Sequence, residues 1–111
     1  MAVRYYCEAE KLDPKRAAIY FNRGQAYESL GLYSLAIRDY TKVIELKPKD
    51  GEAYFWRGDC HFKLREYGKA LADYTSSAKL GFKSGELHRY REQAEMFGRA
   101  KKQEQKPGKN A

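Results

Sequence analysis

The residues of this chain that could carry out covalent chemistry are few and badly spaced for it. Cys60 and His61 are adjacent, and adjacent side chains on a helix diverge, so they lack the convergence of an activated thiolate pair. Cys7 and His88 stand alone, and neither cysteine sits in a CxxC or other metal-ligand spacing, which fits two reduced, partly buried thiols in a cytoplasmic protein. No GxSxG, HExxH, phosphate loop or glycine-rich cradle occurs, so no enzymatic activity, metal or cofactor is expected. One charged spacing does recur. Asp39 follows Arg23 by sixteen residues, and Asp73 follows Arg57 by the same sixteen. If the elements that carry them run antiparallel, each Arg meets its Asp as an ion pair; otherwise they are independently solvated charges. A surface pair of this kind contributes only ~0–1 kcal/mol.

Positioning those charges falls to a repeated element. Residues 17–50 and 51–84 align without a gap at a spacing of 34, with Tyr20 on Tyr54, Arg23-Gly24 on Arg57-Gly58, Tyr33 on Tyr67, Ala36 on Ala70 and Asp39-Tyr40-Thr41 on Asp73-Tyr74-Thr75. A fixed period of this length marks a stacked array whose units pack only on their neighbours. Each unit holds two stretches of helical spacing, such as Ala18, Tyr20, Gly24, Tyr27 and Leu30, then Ala36, Tyr40, Val43 and Ile44. Gly31 separates the first pair, Lys47-Pro48-Lys49-Asp50 ends it, and Asp13-Pro14 reads as a helix start with Asp as N-cap. Helices are predicted over about 2–11, 15–30, 33–46, 52–64, 67–80 and 85–103, with no β-type alternation. Gly24, Gly58, Ala36 and Ala70 leave room that Tyr27, Tyr33, Tyr40, Tyr67 and Tyr74 can fill, which suits close antiparallel helix pairs.

These residues resemble the tetratricopeptide repeat (TPR) family. Its pattern of aromatic, glycine, aromatic, alanine, aromatic, alanine and proline is met by Tyr20, Gly24, Tyr27, Ala36, Tyr40 and Pro48, with Val43 in place of the last alanine. The second unit meets it with Tyr54, Gly58, Ala70 and Tyr74, and departs from it at His61, Ser77 and Phe82. The resemblance implies an all-α fold, a right-handed superhelical array of antiparallel helix pairs. Its divisions would be residues 1–14 as the second helix of an incomplete repeat, 17–50 and 51–84 as repeats, 85–103 as a C-terminal capping helix, and 104–111 as a disordered basic tail. It also implies a protein-interaction scaffold in which the first helices of successive units line a concave groove. Carried to matching positions, that groove would show Phe21, Asn22, Gln25, Glu28, Phe55, Trp56, Asp59, Phe62, Lys63, Arg89, Tyr90 and Gln93. The aromatics Phe21, Phe55, Trp56, Phe62 and Tyr90 are suited to anchor a peptide or helix, because they bury much area at low entropic cost. The competing reading is that a neighbouring helix covers them and they only stiffen the stack. A well-known subclass grips the acidic C-terminal tails of chaperones with a clamp of basic and amide residues. Asn22 matches one clamp asparagine, but Glu52 and Trp56 stand where lysine and arginine are needed, so that partner is not expected. Glu52, Asp59 and Glu86 would make part of the groove acidic and favour a ligand with apolar anchors and some positive charge.

Charge and the two ends complete the picture. The net charge of +7 is concentrated in residues 99–111, which carry +4. This tail reads as a solvated end. A nuclear-localisation or nucleic-acid contact is a weaker reading, because Gln, Pro and Gly dilute the charges and no aromatics are interleaved. No apolar run approaches the ~20 residues that cross a bilayer, and no membrane contact is expected. In register, Ala2, Tyr6, Ala9, Leu12 and Pro14 match the second half of a unit. Val3, Tyr5, Tyr6 and Cys7 should then form an apolar edge able to pair with a second copy, so a homodimer is an alternative outcome. At the other end, Leu87, Tyr90, Ala94 and Phe97 make one apolar stripe under a polar coat, as a capping helix needs.

Overall fold

The computed structural model describes residues 2–83 and 87–104. Among them are six helices and no strand: α1 (Ala2–Leu12), α2 (Ala17–Ser29), α3 (Tyr33–Leu46), α4 (Gly51–Lys63), α5 (Tyr67–Lys79) and α6 (Leu87–Glu104). Each helix packs on the next in sequence, and α6 also touches α4. The fold is an all-α, TPR-like solenoid in which α2–α3 form repeat 1, α4–α5 form repeat 2, and α1 and α6 flank them. No helix is long and apolar enough to cross a membrane among the described residues.

Helix starts differ between the repeats for a reason of cap chemistry. Asp13 does not cap α2. Pro14 and Lys15 form a turn closed by the Arg16 N–H on the Asp13 carbonyl, so the helix begins at Ala17 with Arg16 as its cap residue and no side-chain cap bond. The same turn recurs at Lys47–Asp50, closed by the Asp50 N–H on the Lys47 carbonyl. There the last residue is an acid, and Asp50 accepts the backbone N–H groups of Glu52 and Ala53. The α2–α3 and α4–α5 turns also share one conformation. Gly31 has φ +75°, and Arg65, at the matching place in repeat 2, has φ +63°. The left-handed backbone is cheap at Gly31 and costs about 1 kcal/mol at Arg65.

Inside each pair, a tyrosine of the second helix meets a glycine of the first. Tyr40 and Tyr74 are fully buried. A Cβ on Gly24 would lie 2.8 Å from Tyr40 Cε1, and one on Gly58 would lie 3.0 Å from Tyr74 Cδ1. The sixteen-residue spacing forms the expected ion pairs. Arg23 meets Asp39 through two bonds of 2.9 and 2.7 Å, and Arg57 meets Asp73 through bonds of 2.8 and 2.7 Å. They are not surface pairs: the aspartates are only 6% and 7% exposed at the side chain. Removing one partner from such a buried pair typically costs ~3–5 kcal/mol, because the other charge is stranded. Each guanidinium also reaches back to the preceding helix, Arg23 to Glu10 at 2.6 Å and Arg57 to Thr41 at 3.3 Å. Each further lies against the face of a tyrosine one turn away, Tyr20 or Tyr54.

α6 covers repeat 2 with Tyr90, Ala94 and Phe97, as expected; Ala94 is buried, and Tyr90 and Phe97 pack on Tyr74 and Tyr67. The side chain of Leu87 and residues 105–111 of the basic tail lie outside the described residues.

The same substitution should have opposite signs at two glycines. Gly24→Ala drives a methyl into the immobile Tyr40 ring and should lower the unfolding free energy by ~1–3 kcal/mol. Gly68→Ala, in the first turn of α5 with open space around it, should raise it by up to ~1 kcal/mol. Urea denaturation of both variants checks the pair.

Candidate functional site

The first helices of the two repeats set matching positions side by side along a seam. Ala18, Asn22, Gln25 and Ser29 on α2 are the counterparts of Glu52, Trp56, Asp59 and Lys63 on α4, and all of these step along one helical face. Two cavities open on this seam. One, of about 260 Å³, is lined by Gln25, Glu28, Ser29, Trp56 and Lys63. The other, of about 210 Å³, is lined by Ala17, Ala18, Phe21, Asn22, Val43, Lys47, Asp50 and Glu52.

Trp56 forms the wall of the larger cavity. It is half-buried, its ring is braced edge-on by Phe55 at 5.1 Å, and its indole N–H donates to Glu52 at 3.3 Å. Phe21 is half-buried and meets Tyr40 edge-on at 5.8 Å, while Asn22 is exposed and Gln25 half-buried. The other aromatics expected on the groove are engaged with the cap. Phe55 is 3% exposed and belongs to the core with Ala70, Tyr74 and Ala94. Phe62 packs on Tyr67 and Phe97, and Tyr90 lies against Phe55 and Tyr74. The reason is α6, whose aromatic stripe needs a partner surface and takes these rings as its bed. Phe55 therefore supports Trp56 from behind rather than presenting its own face.

Sequence reasoning placed Glu28, Asp59 and Lys63 on the groove without foreseeing that they form one cluster. The Lys63 ammonium lies 3.6 Å from Glu28 and 3.4 Å from Asp59, and over the Tyr33 ring at 5.4 Å. Buried Tyr40 donates its hydroxyl to Glu28 at 2.9 Å. Burial, and then the neighbouring Asp59 carboxyl, push Glu28 up to about 7. Burial opposes the charge on Lys63, yet Asp59 and Glu28 outweigh it and hold the ammonium above its ordinary value. The repeat register carried a signal for this cluster. The counterparts of Glu28, Asp59 and Lys63 at the next seam are Phe62, Gln93 and Phe97, an uncharged set in which the Phe62 and Phe97 ring centroids lie 5.9 Å apart. One seam is thus joined by charge and the other by aromatics. A consequence falls on the second tyrosine: with Phe62 where Glu28 would be, the Tyr74 hydroxyl is buried with no hydrogen-bond partner.

The Cys60 thiol is buried among Ala36 and Tyr40, and burial pushes it well above its ordinary value, which keeps it an unreactive thiol. His61 turns away from it toward Glu66 at 2.9 Å. A further cavity of about 510 Å³ lies away from the seam, with Glu10, Arg23, Asp39, Arg38 and Lys42 among its lining.

Residues 17–50 match the tetratricopeptide repeat family, and residues 39–72 match a second family model of the same description. No curated protein sequence matches the chain. Among solved structures, it is similar to the TPR domain of Arabidopsis OM64, at 29% identity over 85% of this chain and 78% of that one, with a TM-score of 0.80. It is similar to the TPR2B domain of yeast Sti1 in complex with pHsp70, at 27% identity over 85% and 80%, with a TM-score of 0.79. The first TPR of Spaghetti (RPAP3), bound to the HSP90 peptide SRMEEVD, shares the fold at 23% identity over 85% and 75%, with a TM-score of 0.80.

The two tyrosines separate the worth of a satisfied hydroxyl from that of an orphaned one. Tyr40→Phe should cost ~1–2 kcal/mol by stripping Glu28 of a donor, whereas Tyr74→Phe should be neutral or stabilising. Paired denaturation curves give the comparison.

Proposed function

This chain belongs to the tetratricopeptide repeat family, a family of protein-interaction modules, and from that membership we propose that it docks a peptide or helix of a partner protein along the α2–α4 seam. The observation that carries this reading is Trp56, a large half-buried ring that walls the 260 Å³ cavity and is held in place by Phe55 and Glu52. A braced aromatic loses little entropy on binding, which is the property of an interface anchor. Phe21 and Asn22 extend the surface on α2, and Gln25 supplies a polar position beside it, whereas Asp59, expected on the groove, is buried behind it. The Sti1 domain is in complex with pHsp70, which supports a protein as the class of partner. The acidic-tail mode itself is disfavoured here, because Glu52 faces the seam and would repel a carboxylate. A partner segment with an apolar anchor and a basic residue suits this surface better. Free thiols at Cys7 and Cys60 fit a reducing compartment such as the cytoplasm.

Capture from a lysate by the immobilised chain and by its Trp56→Ala variant, with partners identified by mass, tests the assignment. A partner docked on Trp56 should lose affinity by ~30-fold or more in the variant; equal capture by both chains removes the groove from consideration. Trp56 is the sole tryptophan, so its fluorescence reports occupancy directly. Saturable quenching by the peptide SRMEEVD would restore the acidic-tail mode.

A second reading is favoured by α1. Tyr6 is the register counterpart of Tyr40, yet it is only half-buried where Tyr40 is fully buried. Tyr5 and Leu12 nearby are 68% and 88% exposed. A second copy could cover this edge. Light scattering across a wide concentration range should then show a mass rising toward the dimer, and a constant monomer mass sinks it.

A further inference from the structure

The cluster at the α2–α4 seam has a property that the docking reading neither uses nor needs. Two carboxyl groups from different repeats, Glu28 and Asp59, share one ammonium, that of Lys63. Two negative charges against one positive charge leave an excess in a place where Glu28 is only 10% exposed at the side chain. Such an excess is removed most cheaply by a proton held between the carboxyls. We propose that the Glu28–Asp59 contact is a proton-operated joint between the two repeats: with the shared proton it ties α2 to α4, and without it the two carboxylates push the helices apart and turn the Trp56 cavity negative.

Every side chain facing Glu28 is consistent with this. From α3, the Tyr40 hydroxyl donates to Oε1 at 2.9 Å, and Tyr33 lies beneath the Lys63 ammonium. From α4 come Asp59, Lys63 and the buried Cys60 thiol, whose own ionisation is opposed by burial and by both acids. From α5, the buried Tyr74 phenol feels Asp59 and Glu28 and remains protonated. His61 faces the other way, toward Glu66 and Asp73. Among the described residues, Lys63 is therefore the cation that acts on Glu28, Asp59 is the competing acid, and the remaining neighbours offer hydrogen bonds or neutral surface. The next seam has no counterpart, because Phe62, Gln93 and Phe97 do not titrate, so the response is confined to the junction between the repeats.

The direction follows from the carboxyl's raised value. The folded chain retains the Glu28 proton up to about pH 7, whereas the unfolded chain releases it near 4.5. Stability from the neutral joint is complete below the unfolded value and is lost as pH rises through the folded one. Between about pH 5 and pH 8 this group alone should lower the folding equilibrium on the order of 50-fold, read as a fall in melting temperature of roughly 10 °C.

The full chain and its E28Q variant should be melted across that range, with circular dichroism at each pH to confirm the fold. The wild type should lose stability relative to E28Q as pH rises; parallel profiles overturn the proposal. A carbon-13 carboxyl titration of the wild-type chain provides a reading that needs no variant to fold. A Glu28 midpoint near 7 is expected, and a midpoint in the ordinary glutamate range overturns it. In D59N the Glu28 midpoint should fall back toward that ordinary range, and an unmoved midpoint would remove Asp59 from the joint. None of these outcomes bears on whether a partner docks at Trp56, so the two readings fail separately.

Discussion

In each repeat a tyrosine ring packs against the backbone of a glycine on the partner helix, Tyr40 on Gly24 and Tyr74 on Gly58, and the spacing of the helix pair follows from that contact. A side chain at either glycine would hold the helices apart. At the spacing the glycines permit, Arg23 and Arg57 are brought within bidentate range of Asp39 and Asp73. Those bonds fix the angle and register of the pair, since a guanidinium fork accepts a carboxylate in few orientations. The same arginines reach the preceding helix at Glu10 and Thr41. One close approach thus lets a single charged side chain tie three helices, which a solenoid with no central core requires.

With that scaffold constant, the two seams between first helices are free to differ. Repeat 1 meets repeat 2 through Glu28, Tyr40, Asp59 and Lys63, a charged and hydrogen-bonded set. Repeat 2 meets α6 through Phe62, Tyr67, Tyr90 and Phe97. The aromatic seam is held by ring-on-ring contacts. The charged seam stays partly open, with Trp56 as its wall.

The repeat was legible because a 34-residue period is a property of residue order and survives any uncertainty about contacts. Helix positions, the small-against-large pairing and the Arg–Asp spacing all follow from it. Some local readings did not transfer. Asp13 looked like a helix cap, but the Pro14–Lys15 turn places the cap residue at Arg16. Phe55 looked like a groove residue by register, but α6 lies over it. A register argument assigns a residue to a face, and only the neighbour's presence decides whether that face is wet.

By itself, then, the sequence determined the fold class and which acid each buried arginine would meet, because these depend on periodicity and spacing along one chain. The tertiary structure decided which aromatics are core and which are surface. It also revealed that Glu28, Asp59 and Lys63 converge from two repeats onto one point, and that the Tyr74 hydroxyl is left without a partner. Burial and convergence are set by distances between helices, and those distances are a three-dimensional outcome of packing that no spacing along the chain encodes.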